Sequence, residues 1–496
     1  MSFKLTASRA PARYAKSSLR APYITKSHDL GKRWSSACTW LTQTPETINP
    51  EDILSSIPTT HHQSNSNPVP LLLVTPSLAH WLDPTSPFLT EYIKKLYQNT
   101  NNKPDTIYAV AAVIDKIPNS TAKSQASLEE FEGLSSLIVG EANIKWKAAP
   151  PRRIGGPADE EPNFVVSVND QSSAHAIGLR LANTVFINGK ERTFLGMRWV
   201  ASESGYILAD SKSLASCVVT STETNIHSTV ALPLHPVTQR RKVITGMGNI
   251  LRQLAKSNDG SSDEPMPAST ELEKELPRYI DEHNIVDRRV SVWALVEKAD
   301  NQVDSQSPST QDRLTKSLRQ GGKLHRVMSG GGGWGKKMGL LSLDPEIASP
   351  TTITQDQGII SLDQLFESDS APDEPMETPP FFESGLIGED LSHLSQVANP
   401  GDLIQFFVAV EPTASNGLTN EAARKYCFGV VSETEALEIP TNDVKEKLQL
   451  VENTFAAMSE KAIFYSQPVL QAGTAVESST KLDIPGCRVI LESGKP

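Results

Sequence analysis

The residues best suited to chemistry lie in a glycine-rich stretch, residues 329–344, which reads SGGGGWGKKMGLLSLD. Glycine adopts φ > 0 and lets a ligand approach bare N–H groups, and successive N–H groups form a concave anion site. Two lysines add positive charge beside them. We therefore predict that a loop at residues 329–339 binds phosphate. The candidate ligand-binding residues are Gly330, Gly331, Gly332, Gly333, Trp334, Gly335, Lys336, Lys337, Arg326 and His325.

Two known phosphate-binding patterns match this stretch incompletely. Gly330, Gly335 and Lys336 fit G-x-x-x-x-G-K, but Lys337 stands where a magnesium-binding Ser or Thr is needed. G-x-G-x-x-G also fits, yet it requires a following helix, and Gly339 and Pro345 leave little room for one. A generic anion loop for a nucleotide or RNA backbone is the favoured interpretation. The alternative is a structural turn that packs Trp334 on a sheet and leaves the lysines in solvent.

The N-terminal residues 1–36 carry eight basic residues and a single acidic residue, Asp29. This Arg-rich, Ser-rich and acid-poor composition predicts a mitochondrial transit peptide and a matrix location. A basic tail that binds nucleic acid or membrane is the alternative. The basic residues are Lys4, Arg9, Arg13, Lys16, Arg20, Lys26, Lys32 and Arg33.

Charge and composition limit the partners. Removing a leader of net charge +7 would change the chain's net charge from −11 to −18, so broad contact with nucleic acid is disfavoured and any RNA contact must be local. No stretch approaches the roughly 18 apolar residues of a membrane span. The predicted partner is a phosphate-bearing ligand, nucleotide or RNA, and a protein partner stays open.

No catalytic or metal-binding pattern is evident. The four cysteines form no C-x-x-C pair, and neither G-x-S-x-G nor H-E-x-x-H occurs. Cys427 lies in an apolar run and is predicted to be inert core. We predict no cofactor, no metal site and no catalytic residue, and an enzyme acting on a phosphorylated substrate remains a further alternative.

Apolar patterns predict a mixed α/β protein with parallel and antiparallel strands and flanking helices. Residues 69–75, 87–98 and 106–114 read as strand, helix and strand, which is typical of a parallel unit. Residues 184–187 with the turn Asn188-Gly189 predict a hairpin. Helical spacing predicts helices at residues 238–256 and near residues 443–458.

The remaining patterns divide the chain. We predict a polar linker at residues 37–67, an N-terminal mixed α/β domain at 68–256 and a C-terminal α/β domain at 268–496. The two halves are interdependent and are joined by disordered linkers. An acidic, proline-rich insertion covers residues 366–383. It is predicted to loop out, and folding over the basic loop is the alternative.

The order of elements in residues 69–197 resembles that of FIST sensory domains. The resemblance is carried by the strand ending near Ser77, a helix, an alanine-rich strand, Gly140 and the VVSV strand at residues 165–168. It implies that the protein binds a small ligand, and it assigns no binding residue. The corresponding hypothesis is a small-ligand sensor or scaffold in which the glycine loop is structural. The two leading hypotheses are therefore a non-enzymatic phosphate-ligand binder and a small-ligand sensor.

Overall fold

Strands outnumber helices throughout the described chain. The computed structural model describes residues 36–494 except for 58–66, 99–103, 120–129, 150–162, 171–172, 204, 258–262, 286–289, 300–308, 331–338, 346–358, 368–395, 411–422, 434–446 and 472–473. In chain order the strands are β1 (Ala37–Thr42), β2 (Pro68–Val74), β3 (Thr106–Val113), β4 (Ile117–Pro118), β5 (Glu130–Gly140), β6 (Ile144–Ala148), β7 (Asn163–Asn169), β8 (Ala174–Arg180), β9 (Phe194–Ser202), β10 (Gly205–Thr222), β11 (Ile226–Ala231), β12 (Leu234–Pro236), β13 (Arg241–Met247), β14 (Ile250–Ala255), β15 (Pro265–Pro267), β16 (Val292–Glu297), β17 (Lys323–Gly330), β18 (Leu341–Leu343), β19 (Leu403–Ala409), β20 (Arg424–Val430), β21 (Gln449–Glu452), β22 (Thr454–Ser459), β23 (Ile463–Gln471), β24 (Thr474–Leu482) and β25 (Arg488–Ser493). The α-helices are α1 (Pro50–Leu54), α2 (Pro87–Tyr97), α3 (Val185–Asn188), α4 (Thr270–Glu282), α5 (Thr310–Arg319) and α6 (Leu362–Glu367), and 3-10 turns cover Pro45–Thr47, Pro76–Leu82 and Glu141–Asn143.

The predicted strand–helix–strand unit is present as β2, α2 and β3. The two strands are parallel, with Leu71 opposite Val110. Ser86 caps α2 by accepting a hydrogen bond from the backbone N–H of Phe88. The helix buries Phe88 and Ile93 among other apolar residues at helical spacing. The pattern of apolar residues therefore predicted this unit correctly.

One sheet joins thirteen of the described strands and contains this unit. Its main path runs β21-β1-β5-β2-β3-β9-β10-β7-β8-β23-β24. The long strand β10 pairs antiparallel with β9 over its first half and parallel with β7 over its second half. The sheet is thus mixed, as the fold class predicted, and helices flank it.

A second sheet, in the order β11-β25-β20-β22, packs with the first around a shared core. This core combines residues from distant parts of the sequence, such as Leu73, Trp293 and Phe455. In the large sheet β23 pairs directly with β8. The shared core therefore includes residues from both sides of the predicted boundary at residues 257–267, and the described residues from 36 onward belong to one compact unit.

Six antiparallel strands close into a small barrel. Their pairings form a ring in the order β13-β14-β18-β17-β16-β19, and β19 pairs again with β13. The interior is a separate apolar cluster that includes Val243, Ala294 and Phe406. A barrel of so few strands is filled by its own side chains. Its outer face contributes Trp293 and Leu295 to the shared core.

The predicted linker at residues 37–67 is wrong for its first part. All six residues of β1 are buried, and this strand pairs with β5 and β21 inside the large sheet. The helix α1 follows and buries Ile53 and Leu54. The first two residues of the predicted insertion at 366–383 are also part of α6, where Phe366 is buried, and the rest lies outside the described residues.

The predicted helix at residues 238–256 is a β-hairpin of the barrel, formed by β13 and β14. Val243 and Leu254 are cross-strand partners facing the interior, so their spacing imitated a helical face. The turn lies at Gly248, a residue that disfavours a helix interior. The basic residues around the start of β13 are paired with acids, for example Arg240 with the buried Glu297.

Two further predictions of local structure are wrong. Residues 185–188 form the short helix α3 in place of a strand, and Gly189 ends that helix with φ +73°. A glycine of this kind suits a helix C-terminus as well as a hairpin turn, so the turn signal was ambiguous. The helix predicted near residues 443–458 is, in its described part, the strands β21 and β22.

Candidate functional site

A groove opens at one end of the barrel, between helix α4 and the strands β16, β17 and β18. Its volume is about 480 Å³, which lies in the range of small-molecule sites. The apolar lining residues are Leu272, Leu276, Pro277, Val290, Val292, Val327, Met328 and Leu341. The polar lining residues are Ser269, Glu273, Ser291, Arg326 and Ser329, and Gly330 completes the wall.

Helix α4 forms one wall because its apolar residues share a face. Leu272 and Tyr279 are buried against the barrel interior, and Leu276 packs beside them. At the start of the helix, Ser269 Oγ donates to Glu273 Oε1 at 2.6 Å, and the Glu273 N–H donates to the Ser269 carbonyl at 2.8 Å. The Glu273 carboxylate is thus held at the end of the groove where α4 begins.

Both ends of the predicted glycine loop meet this groove. Gly330 is the last residue of β17 and pairs with Leu341 of β18, and both line the groove. On the returning side, the Gly339 carbonyl accepts a hydrogen bond from the Ser269 N–H at 3.3 Å. The loop therefore joins two antiparallel strands at the rim of the groove, and a strand follows it where the nucleotide-binding motifs need a helix.

Most of the loop itself lies outside the described residues. This applies to Gly331, Gly332, Gly333, Trp334, Gly335, Lys336 and Lys337. Of the ten predicted ligand-binding residues, the structure describes Gly330, Arg326 and His325. It brings the first two to the groove.

Arg326 is the described cation of the groove, and its guanidinium is fixed at the rim. Nη2 donates to Ser291 Oγ at 2.8 Å, and Cζ lies 5.8 Å from the centre of the Trp293 ring. Arg326 is the cross-strand partner of Trp293, so its side chain lies on the outer face of the barrel with that ring. Trp293 Nε1 in turn donates to Asp483 Oδ1 at 2.7 Å. These contacts hold a positive charge where β17 approaches the loop.

His325 does not line the groove. Its side chain is 4% exposed, and Nδ1 lies 2.9 Å from the Asp344 carbonyl oxygen. Burial lowers the pKa of this histidine below its ordinary value, so the imidazole is neutral at neutral pH. We therefore leave His325 out of the proposed site and assign it a structural role.

The thiols offer no reactive group. Cys38, Cys217, Cys427 and Cys487 are all free and buried. Burial raises the pKa of Cys217 and Cys427, and that of Cys487 to about 12, so these three stay protonated and poorly nucleophilic. Within the described ranges, no group of three or more His, Cys, Asp or Glu residues is placed to hold a metal ion.

Sequence reasoning found the glycine loop and missed the groove. In the sequence of α4, the spacing of Leu272, Leu276 and Tyr279 indicates one apolar helical face. This spacing indicates that α4 packs against an apolar surface of the protein. Nothing in the sequence indicated that the covered surface is the mouth of a barrel.

No protein-family model matches the chain, and neither the curated proteins nor the solved structures contain a match. Over the part of the chain that the structure describes, no helix is long and apolar enough to cross a membrane. The function is therefore argued from the groove and its surroundings.

Proposed function

We propose that this chain is a non-enzymatic binding protein of the mitochondrial matrix that holds a phosphate-bearing ligand at its glycine loop. The observation that carries the proposal is that Gly330 and Leu341, which flank the loop, both line the groove. A phosphate at the loop would then place the rest of its ligand in the groove. Mouths of β-barrels are frequent sites of small ligands.

The charges around the groove support an anionic ligand with a small headgroup. Arg326 provides a fixed positive charge at the rim, and the sequence adds Lys336 and Lys337 within the loop. Glu273 provides one negative charge at the other wall. A groove of about 480 Å³ suits a small molecule better than an RNA strand, so a small phosphate compound is the preferred ligand.

Loop variants test this proposal by titration calorimetry with inorganic phosphate, AMP and single-stranded RNA. Gly332→Val should abolish binding because a side chain blocks approach to the N–H groups. Lys336→Ala combined with Lys337→Ala should weaken binding and reduce the salt dependence by about one unit of log–log slope for each lysine that contacts phosphate. The matched control is Lys256→Ala with Lys447→Ala, two exposed lysines that do not line the groove.

A small-ligand sensor with a structural loop is the second candidate, and two described glycines favour it. A Cβ atom at Gly330 would lie 2.2 Å from Leu341 Cδ2. Gly339 has φ +86°, and a Cβ there would lie 2.7 Å from Pro267 Cβ. Close packing thus accounts for both residues without a ligand. Under this candidate, Gly332→Val lowers the melting temperature, while the double lysine change alters neither melting nor binding.

The matrix location rests on the leader and has its own test. Residues 1–36 fused to a fluorescent reporter should deliver it to mitochondria. The same fusion with the eight basic residues changed to glutamine is the control and should stay in the cytosol. Cytosolic or nuclear fluorescence from the unchanged leader would contradict the proposed location.

A further inference from the structure

We propose that the ligand of the groove is a phosphomonoester of an aliphatic chain, with the chain along the groove and the phosphate at the rim near Arg326. This inference rests on the proposed function, because it takes phosphate as the headgroup. It adds the chemical class of the remainder of the ligand. The described residues of the groove carry this addition.

The lining of the groove is aliphatic. Eight of the fourteen lining residues are apolar, and they come from both walls: Leu272 and Leu276 from α4, and Val292, Val327 and Leu341 from the strands. None of the described lining residues is aromatic. Nucleobases are normally held by stacking on aromatic rings and by several hydrogen bonds to their edges. A hydrocarbon chain requires neither, so it fits these walls better than a base.

The charges indicate a ligand with one anionic end. Among the described lining residues, Arg326 is the single cation and Glu273 the single anion. Glu273 Oε1 is fixed by Ser269, so the carboxylate stays at the start of α4. A second anionic group at that wall would meet like charge. A polyphosphate or a dicarboxylate is therefore disfavoured, and a phosphomonoester satisfies both walls.

The rim also suits a flexible apolar chain. Met328 lines the groove although its side chain is 62% exposed. Methionine is unbranched and adapts its shape to apolar ligands. A chain that extends beyond the groove would therefore continue over the apolar side chain of Met328.

An alkyl phosphate series tests the inference with the full-length protein. Methyl, butyl, hexyl and octyl phosphate are titrated as monomers, with octanol and octanoate as headgroup controls. Affinity should rise about 4-fold for each added methylene until the groove is filled. Octanol should bind far more weakly than octyl phosphate.

Three variants, two of them with matched controls, separate the contribution of the alkyl chain to affinity from that of the phosphate headgroup. Val290→Phe narrows the groove and should lower the affinity for octyl phosphate while leaving that for methyl phosphate unchanged, and Val200→Phe, at an exposed position of β9, is its matched control. Met328→Ser should lower the affinity for octyl phosphate by a smaller factor. Because Met328 is exposed, this substitution should leave the fold unchanged. Arg326→Gln should lower the affinity for every chain length equally, with the exposed Arg278→Gln as control.

The outcomes distinguish this inference from the proposed function. Equal affinity for methyl and octyl phosphate would overturn the aliphatic class and leave phosphate binding intact. Octanol or octanoate binding as tightly as octyl phosphate would overturn the phosphate proposal, and so would the absence of binding by any phosphate. Vesicles with and without phosphatidic acid identify the source: binding to free octyl phosphate indicates a soluble ligand, and binding only to phosphatidic acid vesicles indicates a bilayer lipid.

Discussion

Asp115, which follows β3, should make the protein less stable at neutral pH than at acid pH. Its side chain is 8% exposed, and Oδ2 accepts a hydrogen bond from the Glu460 N–H at 2.8 Å. Burial is the main cause that raises the pKa of this carboxyl group from 3.8 to about 6; the hydrogen bond from the Glu460 N–H, Lys461 and Lys116 lower this pKa, and the charge of Glu460 raises it. The folded protein therefore holds the proton more tightly than the unfolded chain.

The magnitude follows from these two pKa values. The contribution of Asp115 is fully present below pH 3.8 and is lost as the pH rises through about 6. The loss corresponds to about 3 kcal/mol in the free energy of unfolding. Asp115→Asn removes the titration, and the amide oxygen can still accept the hydrogen bond from Glu460. The variant should therefore match the natural protein near pH 4 and exceed its stability by up to about 3 kcal/mol at neutral pH.

Urea unfolding of both proteins at a series of pH values measures this difference. Subtracting one curve from the other cancels the groups that the two proteins share. Asp281→Asn, at an exposed aspartate of α4, serves as the control and should give a difference close to zero at every pH. A difference for Asp115→Asn that does not change with pH, or that is largest in acid, would refute the reasoning.

Two further substitutions have defined outcomes. Arg240→Met should destabilise the fold by about 3–5 kcal/mol, because Glu297 is 2% exposed and Arg240 Nε lies 2.7 Å from its Oε2. Adding Glu297→Met should recover most of this loss in urea unfolding, and no recovery would show that packing, not charge, is at fault. Phe366→Ala should lower the free energy of unfolding by about 3–5 kcal/mol if α6 unfolds together with the rest of the protein. The reason is that the Phe366 ring stacks on Tyr108 and lies 5.6 Å from Lys212 Nζ. If α6 opens alone, global stability will hold and limited proteolysis will cut near α6 sooner.

The parts of the fold that the sequence predicted are those with local causes. β2 and β3 are buried on both faces, so each reads as an unbroken apolar run, and α2 between them shows helical spacing. Interactions between residues that are close in sequence are sufficient to specify such a unit. A helix between two adjacent buried strands then favours their parallel pairing.

The barrel was not predictable in this way because its closure depends on distant pairs. The ring is completed where β16 and β13 pair with β19, whose residues lie more than a hundred positions further along the chain. Locally, Val243 and Leu254 lie at a spacing that a helix also produces. Only the pairing with β18 and β19 decides for strands, and that information is not contained in the segment itself.

For the same reason, the sequence indicated only the glycine-loop part of the candidate site and not the groove. Glycines and lysines signal an anion loop within one short segment, whereas the groove is assembled from α4, β16, β17 and β18. Leu272, Val292 and Leu341 each read as ordinary core residues in their own segments. They line one groove because α4 and the three strands meet at the mouth of the barrel.

The antiparallel setting of the loop limits how the site can gain affinity. A loop that leads into a helix adds the helix dipole, worth about 0.3–1 kcal/mol for an anion, but this loop leads into β18. The N-terminus of α4 cannot supply this dipole contribution, because Glu273 already places a carboxylate there. Exposed charge pairs add about 0–1 kcal/mol each. Six buried methylenes would contribute about 5 kcal/mol. For the proposed alkyl phosphate ligand we therefore expect most of the affinity to come from the apolar groove. Raising the salt concentration should weaken the binding of methyl phosphate by a larger fraction of its binding free energy than that of octyl phosphate.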